Sequence, residues 1–117
     1  MKVLVTGSTG RVGRAIYVRL CPAHEVVGLD LAPSSTADIV ASLQDDRAVE
    51  AALRGVDAVI HVAALHAPQV GHRSDGDFEA INVQGTDRLA RHAIDAGVRR
   101  FVFTSTTALY GAGAAAP

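Results

Sequence analysis

At 117 residues the chain has room for one domain, and with 49% of its residues apolar it can bury a real core. Eleven basic against twelve acidic residues leave a net charge of −1, which excludes the electrostatic footprint of a nucleic-acid or membrane-surface binder. A lone cysteine, Cys21, excludes an internal disulfide, and no apolar run approaches the ~20 residues of a membrane-spanning helix.

After Met1, Lys2 leads straight into Val3, Leu4 and Val5, an apolar run of strand type. No signal peptide is expected before this strand, and with it a reducing, cytoplasmic location is expected. Gly7, Gly10 and Gly13 follow at three-residue spacing. Arg14 to Leu20 then reads as a helix, with Ala15, Ile16, Val18 and Leu20 suited to pack on a sheet. Strand, glycine turn and helix form the phosphate end of a dinucleotide-binding unit. Glycine is needed there because a side chain would keep the backbone from the pyrophosphate. The helix start adds N–H groups and a positive dipole end for the anion.

Pro22 stops the first helix, and Cys21 beside it is read as an inert thiol. Glu25 to Asp30 is a second strand ending in an acid, seventeen residues past Gly13. A carboxylate there accepts hydrogen bonds from the ribose hydroxyls and repels a 2′-phosphate, which favours NAD over NADP. Arg11, beside the turn, is the residue able to meet a 2′-phosphate instead. Ala32 to Val40 is a loop, with Ile39, Val40 and Leu43 as a short extended piece. Asp45 or Asp46 caps a helix to Arg54 that carries Ala48, Val49, Ala52 and Leu53 on one face, with Gly55 as its stop. Val56 to Ala64 is a near-continuous apolar run, as in a parallel strand covered on both faces. It is the expected third strand, and His61 within it is read as a satisfied core histidine. His66 and His72 lie six apart in the next loop with no third ligand at a credible spacing, so no metal is expected.

A long helix is predicted from Asp77 to Ala96, with Phe78, Ile81, Leu89, Ala93 and Ile94 as its apolar stripe, Gly85 inside it and Gly97 ending it. Phe101 to Ser105 is the expected fourth strand. The result is an α/β fold: a Rossmann-type parallel sheet of order 3-2-1-4, truncated after the fourth strand. Residues 1–111 make up this incomplete dinucleotide-binding domain, and 112–117 a loose Gly/Ala/Pro tail.

Together these segments resemble the extended short-chain dehydrogenase/reductase family, the NAD-dependent epimerase/dehydratases, from Met1 to Gly111. Thr6 to Gly13 matches the family's TGxxGxxG turn, and Asp30 its ribose acid. His61-Val-Ala-Ala64 resembles the segment that lies along the cofactor. Asn82-Val-Gln-Gly-Thr86 is similar to an NVxGT helix segment whose asparagine helps hold the active site. Phe101 to Gly111 resembles the fourth strand and the turn after it, which puts the substrate-orienting hydroxyl on Thr106. The resemblance implies a cofactor site of Gly7, Thr9, Gly10, Arg11, Val12, Gly13, Asp30, Ser42, Leu43, Val62, Ala63, Ala64, Asn82 and Thr104. Ser42 stands where the family usually places an aspartate near adenine.

The resemblance also implies a tyrosine and a lysine four residues later as the catalytic pair. Here the tyrosines are Tyr17 and Tyr110, followed at that distance by Cys21 and Ala114, and Lys2 is the only lysine. A tyrosine with a pKa near 10 needs a nearby ammonium to act as a base at neutral pH. The chain alone is therefore expected to be inactive: the NAD(P)-binding portion of an enzyme moving hydride to or from a sugar nucleotide or related alcohol. The alternative is a non-catalytic nucleotide sensor. Self-association through the open edge of the last strand is also expected.

Overall fold

The computed structural model describes residues 1–63 and 79–105, for 79–81 the backbone alone. Five parallel strands form one sheet: β1 (Lys2–Thr6), β2 (Glu25–Asp30), β3 (Ile39–Val40), β4 (Ala58–His61) and β5 (Arg100–Phe103). Their order is β3-β2-β1-β4-β5. The expected 3-2-1-4 order is present, with one strand more, but the segments filling it differ. The place beside β2 belongs to the two-residue strand Ile39–Val40. The apolar run around Val56 to Ala64, expected as the third strand, is β4 and pairs with β1, and the Phe101 segment pairs with β4 as the fifth.

Alternation sends β1 side chains to opposite faces, and each face has its own cover. On one face Leu4, Leu29 and Val59 meet Leu43, Val49, Leu53, Leu89 and Ala93. These come largely from helices α2 (Asp46–Ala52) and α3 (Gly85–Asp95). On the other face Val3, Val5 and Ala58 meet Ile16 and Leu20 of helix α1 (Arg11–Leu20). Each fully buried leucine contributes about 1.5–3 kcal/mol.

The helix faces correct two expectations. In α1 the sheet-facing positions are Gly13, Ile16 and Leu20, spaced three and four apart, whereas Ala15 is exposed and Val18 is 57% exposed. In α3 the buried stripe is Gly85, Leu89 and Ala93, and Ile94, one step round the helix, is 77% exposed. Phe78 lies outside the described residues. The single long helix expected from Asp77 to Ala96 is, in its described part, a π-helical segment Glu79–Gln84 running into α3. Gly85 therefore begins an α-helix and is buried there, while Gly97 just past its end takes φ +77.

Caps and cross-links fix the remaining elements. Asp45 caps α2 by accepting a hydrogen bond from the Ala48 N–H at 3.2 Å. Asp46 ties α2 to α3, accepting from Arg88 Nη1 at 2.7 Å and lying 2.9 Å from His92 Nε2. Those two partners, His92 first, hold the Asp46 carboxyl below its ordinary pKa. Asp38 accepts the Gly28 N–H at 2.8 Å and the Tyr17 hydroxyl at 3.0 Å, pinning the segment that becomes β3 beside β2 and α1.

Candidate functional site

The strand register builds the site. Thr6 lies level with Leu29 on one side and His61 on the other. The next residue of each strand is Gly7, Asp30 and Val62, so these three stand side by side at the carboxyl edge of a parallel sheet. Open α/β sheets bind their ligands at this edge.

The glycine turn is shaped by contacts within the chain. Gly7 has φ +68, and a Cβ there would lie 2.7 Å from the Ala63 nitrogen. A Cβ on Gly13 would lie 1.9 Å from the Gly7 carbonyl oxygen, so the start of α1 rests directly on the turn. Gly10 is different: it is exposed, and its Cβ would come no closer than 3.6 Å to the Gly7 oxygen. Internal packing does not demand a glycine there, whereas an approaching ligand would. Gly10 also caps α1 without a side chain, and the first N–H groups of the helix, at Arg11, Val12 and Gly13, have no partners within it.

Asp30 is joined to this turn. Its Oδ2 accepts the Thr9 N–H at 3.0 Å and the Thr9 hydroxyl at 2.8 Å, and its Oδ1 accepts the Leu31 N–H at 2.7 Å. The acid and the turn, twenty-one residues apart, form one rigid corner. Across the edge, Thr6 Oγ1 accepts the N–H groups of Val62 and Ala63 at 3.1 and 3.2 Å. His61 is 2% exposed, and burial pushes its imidazole down to about 4, so it is neutral at physiological pH. It bonds Thr6 Oγ1 through Nδ1 at 2.6 Å and Thr86 Oγ1 through Nε2 at 2.8 Å, the satisfied core histidine expected.

The other candidate residues fall in three groups. Asn82 is half-buried in the π-helical segment, and Thr104, beyond β5, donates its N–H to the His61 carbonyl at 3.1 Å. Ser42 uses its hydroxyl to accept the Gln44 N–H at 3.0 Å, while the Leu43 side chain packs into the core. Ala64, Thr106, Tyr110, His66 and His72 lie outside the described residues. Among the described residues there is no group of three side chains able to hold a metal, and no helix long and apolar enough to cross a membrane. Thr6 and Thr86 escaped the sequence-based site. The one available signal was a polar residue at strand parity with Leu4, hence facing the core.

The model of the NAD dependent epimerase/dehydratase family matches residues 3–117. An NAD-dependent glucose-6-phosphate dehydrogenase of Haloferax volcanii is 36% identical over 94% of this chain and 45% of its own length. An uncharacterized Mycobacterium tuberculosis protein is 37% identical over 91% of this chain, which spans 12% of that protein. Among solved structures, a short-chain dehydrogenase/reductase superfamily protein of Agrobacterium tumefaciens with bound NAD superposes with a TM-score of 0.82 at 41% identity, over 95% of this chain and 34% of that one. MoeE5 in complex with UDP-glucose and NAD gives 0.84 at 30% identity, over 95% and 38%. The chain thus spans less than half the length of each of these proteins.

Proposed function

Given that the chain belongs to the NAD-dependent epimerase/dehydratase family, we propose that it is the cofactor-binding part of an enzyme that moves hydride to or from an alcohol carbon of a sugar nucleotide or related substrate. The observation that carries this is the corner formed by Asp30 and Thr9: the acid is bonded at 2.8–3.0 Å to the turn whose backbone is open to an anion. The residues fit the group. Gly10 leaves room for a pyrophosphate, and the N–H groups of Arg11, Val12 and Gly13 face it with the dipole of α1 behind them. Asp30 takes the ribose hydroxyls, and Ser42 with the Leu43 backbone borders the adenine. Val62, Ala63, Asn82 and Thr104 flank the far half of the dinucleotide. When bound, NAD supplies the hydride acceptor.

Thr106 orients the substrate hydroxyl, but the chain has no Tyr-x-x-x-Lys pair to take its proton. By itself it binds cofactor without turnover.

Calorimetric titration with NAD and NADP tests the proposal. NAD binds more tightly, and Asp30→Ala narrows the difference. Equal or tighter NADP binding would overturn it and give Arg11 the role of meeting a 2′-phosphate.

A further inference from the structure

The hydroxyls around His61 can be given a direction by tracing their protons. Thr6 Oγ1 accepts two backbone N–H groups, from Val62 and Ala63. The Val62 N–H is shared with the Thr6 carbonyl at 3.3 Å, so the direction is fixed at the other end: the Thr86 hydroxyl proton goes to the Asn82 carbonyl, its oxygen accepts from His61 Nε2, and the neutral ring takes the Thr6 hydroxyl proton at Nδ1, 2.6 Å away. Nδ1 is therefore the acceptor of the ring, and Nε2 carries the hydrogen. Nε2 donates to Thr86 Oγ1 at 2.8 Å, and Thr86 donates onward to the Asn82 carbonyl at 2.9 Å. Every bond runs the same way, from the Thr6 end of β1 through β4 to the π-helical segment. An imidazolium would break the chain, because its Nδ1–H would displace the Thr6 hydroxyl proton from their 2.6 Å contact.

We infer that His61, held as the Nε2–H tautomer between Thr86 and Thr6, is a positioning residue that sets the Asn82 segment against the cofactor edge of the sheet. The inference rests on the cofactor assignment above for its consequence, and on this chain's own hydrogen bonds for its geometry. Two features support it. The Thr86 hydroxyl bonds back to the residue four positions earlier, an arrangement that bends a helix, and it does so where π-helix gives way to α-helix. Such π segments recur at functional sites. The ring is also enclosed: the Phe101 and Phe103 rings lie with centroids 6.1 and 5.9 Å from it, and water does not compete for either nitrogen. The same Thr6 oxygen holds the Ala63 N–H, against which Gly7 is packed. One threonine thus links the glycine turn, the end of β4 and, through His61, Asn82.

The test combines long-range proton–nitrogen correlation spectra of histidine-labelled chain with NAD titration of Thr86→Val and Thr86→Ser. Valine keeps the volume of threonine and removes both halves of its hydrogen bonding, while serine restores them. The expected result is a His61 ring in the Nε2–H form down to about pH 5. Thr86→Val shifts the Asn82 to Thr86 amide signals and weakens NAD about tenfold, the scale of one lost buried hydrogen bond, and Thr86→Ser recovers both. A merely structural role would lower the melting temperature of Thr86→Val and leave its NAD affinity unchanged. That result, an Nδ1–H ring or an imidazolium at neutral pH would each overturn the inference. If the unaltered chain binds no NAD, the cofactor assignment falls by itself, and the tautomer with the Asn82 amide shifts decides the relay.

Discussion

The two ends of β1's neighbourhood are held in opposite ways. Toward β2, the glycine turn is fixed from inside: Gly7 against Ala63, Gly13 against the Gly7 carbonyl, Asp30 against Thr9. Toward β5, the sheet runs out of cover. Phe101, Val102 and Phe103 are 36%, 51% and 56% exposed, and Ile60 beside Val102 is only half-buried. The first region has contacts to spare within this chain, and the second presents apolar surface that the described residues leave to solvent. The cofactor edge is thus built from local strand ends and needs little beyond β1, β2 and β4.

The contrast breaks most severely at Gly13. Alanine there would put a Cβ into the Gly7 carbonyl, with backbone on both sides and no flexible side chain to yield. Gly13→Ala is expected to cost more than about 3 kcal/mol, a large part of a small domain's stability. Gly10→Ala is the matched control, since its Cβ meets only an ordinary contact. It is expected to cost about 1 kcal/mol, the scale of a weakened N-cap, yet to abolish measurable NAD binding. Denaturant midpoints and calorimetry separate the two. Equal stability losses would mean that the turn is not packed as described.

Acid is the next largest lever, and it acts on His61. Its folded pKa, about 4, lies below the ordinary 6.5 of an unfolded chain. The unfolded state therefore binds the proton first, so stability is full above the unfolded value and is lost as pH falls toward the folded one. Across that window the loss is about 3 kcal/mol. In His61→Asn this slope should flatten between those two pH values, on top of a lower plateau. An unchanged slope in the variant would assign the acid sensitivity to other groups.

Much of the first region was legible in the sequence because its causes are local. A glycine at fixed spacing after an apolar run, an aspartate at a strand end and an aspartate before a helix each act within a few residues. The sheet order was less legible. Ile39–Val40 is too short to show a period, and Asp38, which pins it through Gly28 and Tyr17, signals nothing locally. Helix phase was legible only in part: Val18 and Ile94 are apolar, but burial follows Gly13, Ile16 and Leu20, and Gly85, Leu89 and Ala93. The relay from Thr6 to Thr86 spans partners 55 and 25 residues apart, a distance at which spacing carries no information.

The smallest effect on stability, and the one that probes the second region directly, is expected at Val102. Its side chain is 51% exposed and, by alternation, points away from the face that carries His61, Phe101 and Phe103. Among the described residues no strand pairs with the outer edge of β5. A flat apolar edge with free backbone groups is a template for a second copy, and Arg99 and Arg100 oppose this only at its start. Val102→Lys places a charge in the middle of that edge. Because little burial is lost, stability should change by less than about 0.5 kcal/mol. Association should change far more, since pairing two copies would bring two ammonium groups together in an apolar seam. Sedimentation at micromolar concentration is expected to show dimers or larger species for the unaltered chain and monomer for Val102→Lys. If the unaltered chain sediments as a monomer, with slow amide exchange from Phe101 to Ser105, then the edge is already covered within the chain, and the contrast between the two regions is one of exposure in side chains alone.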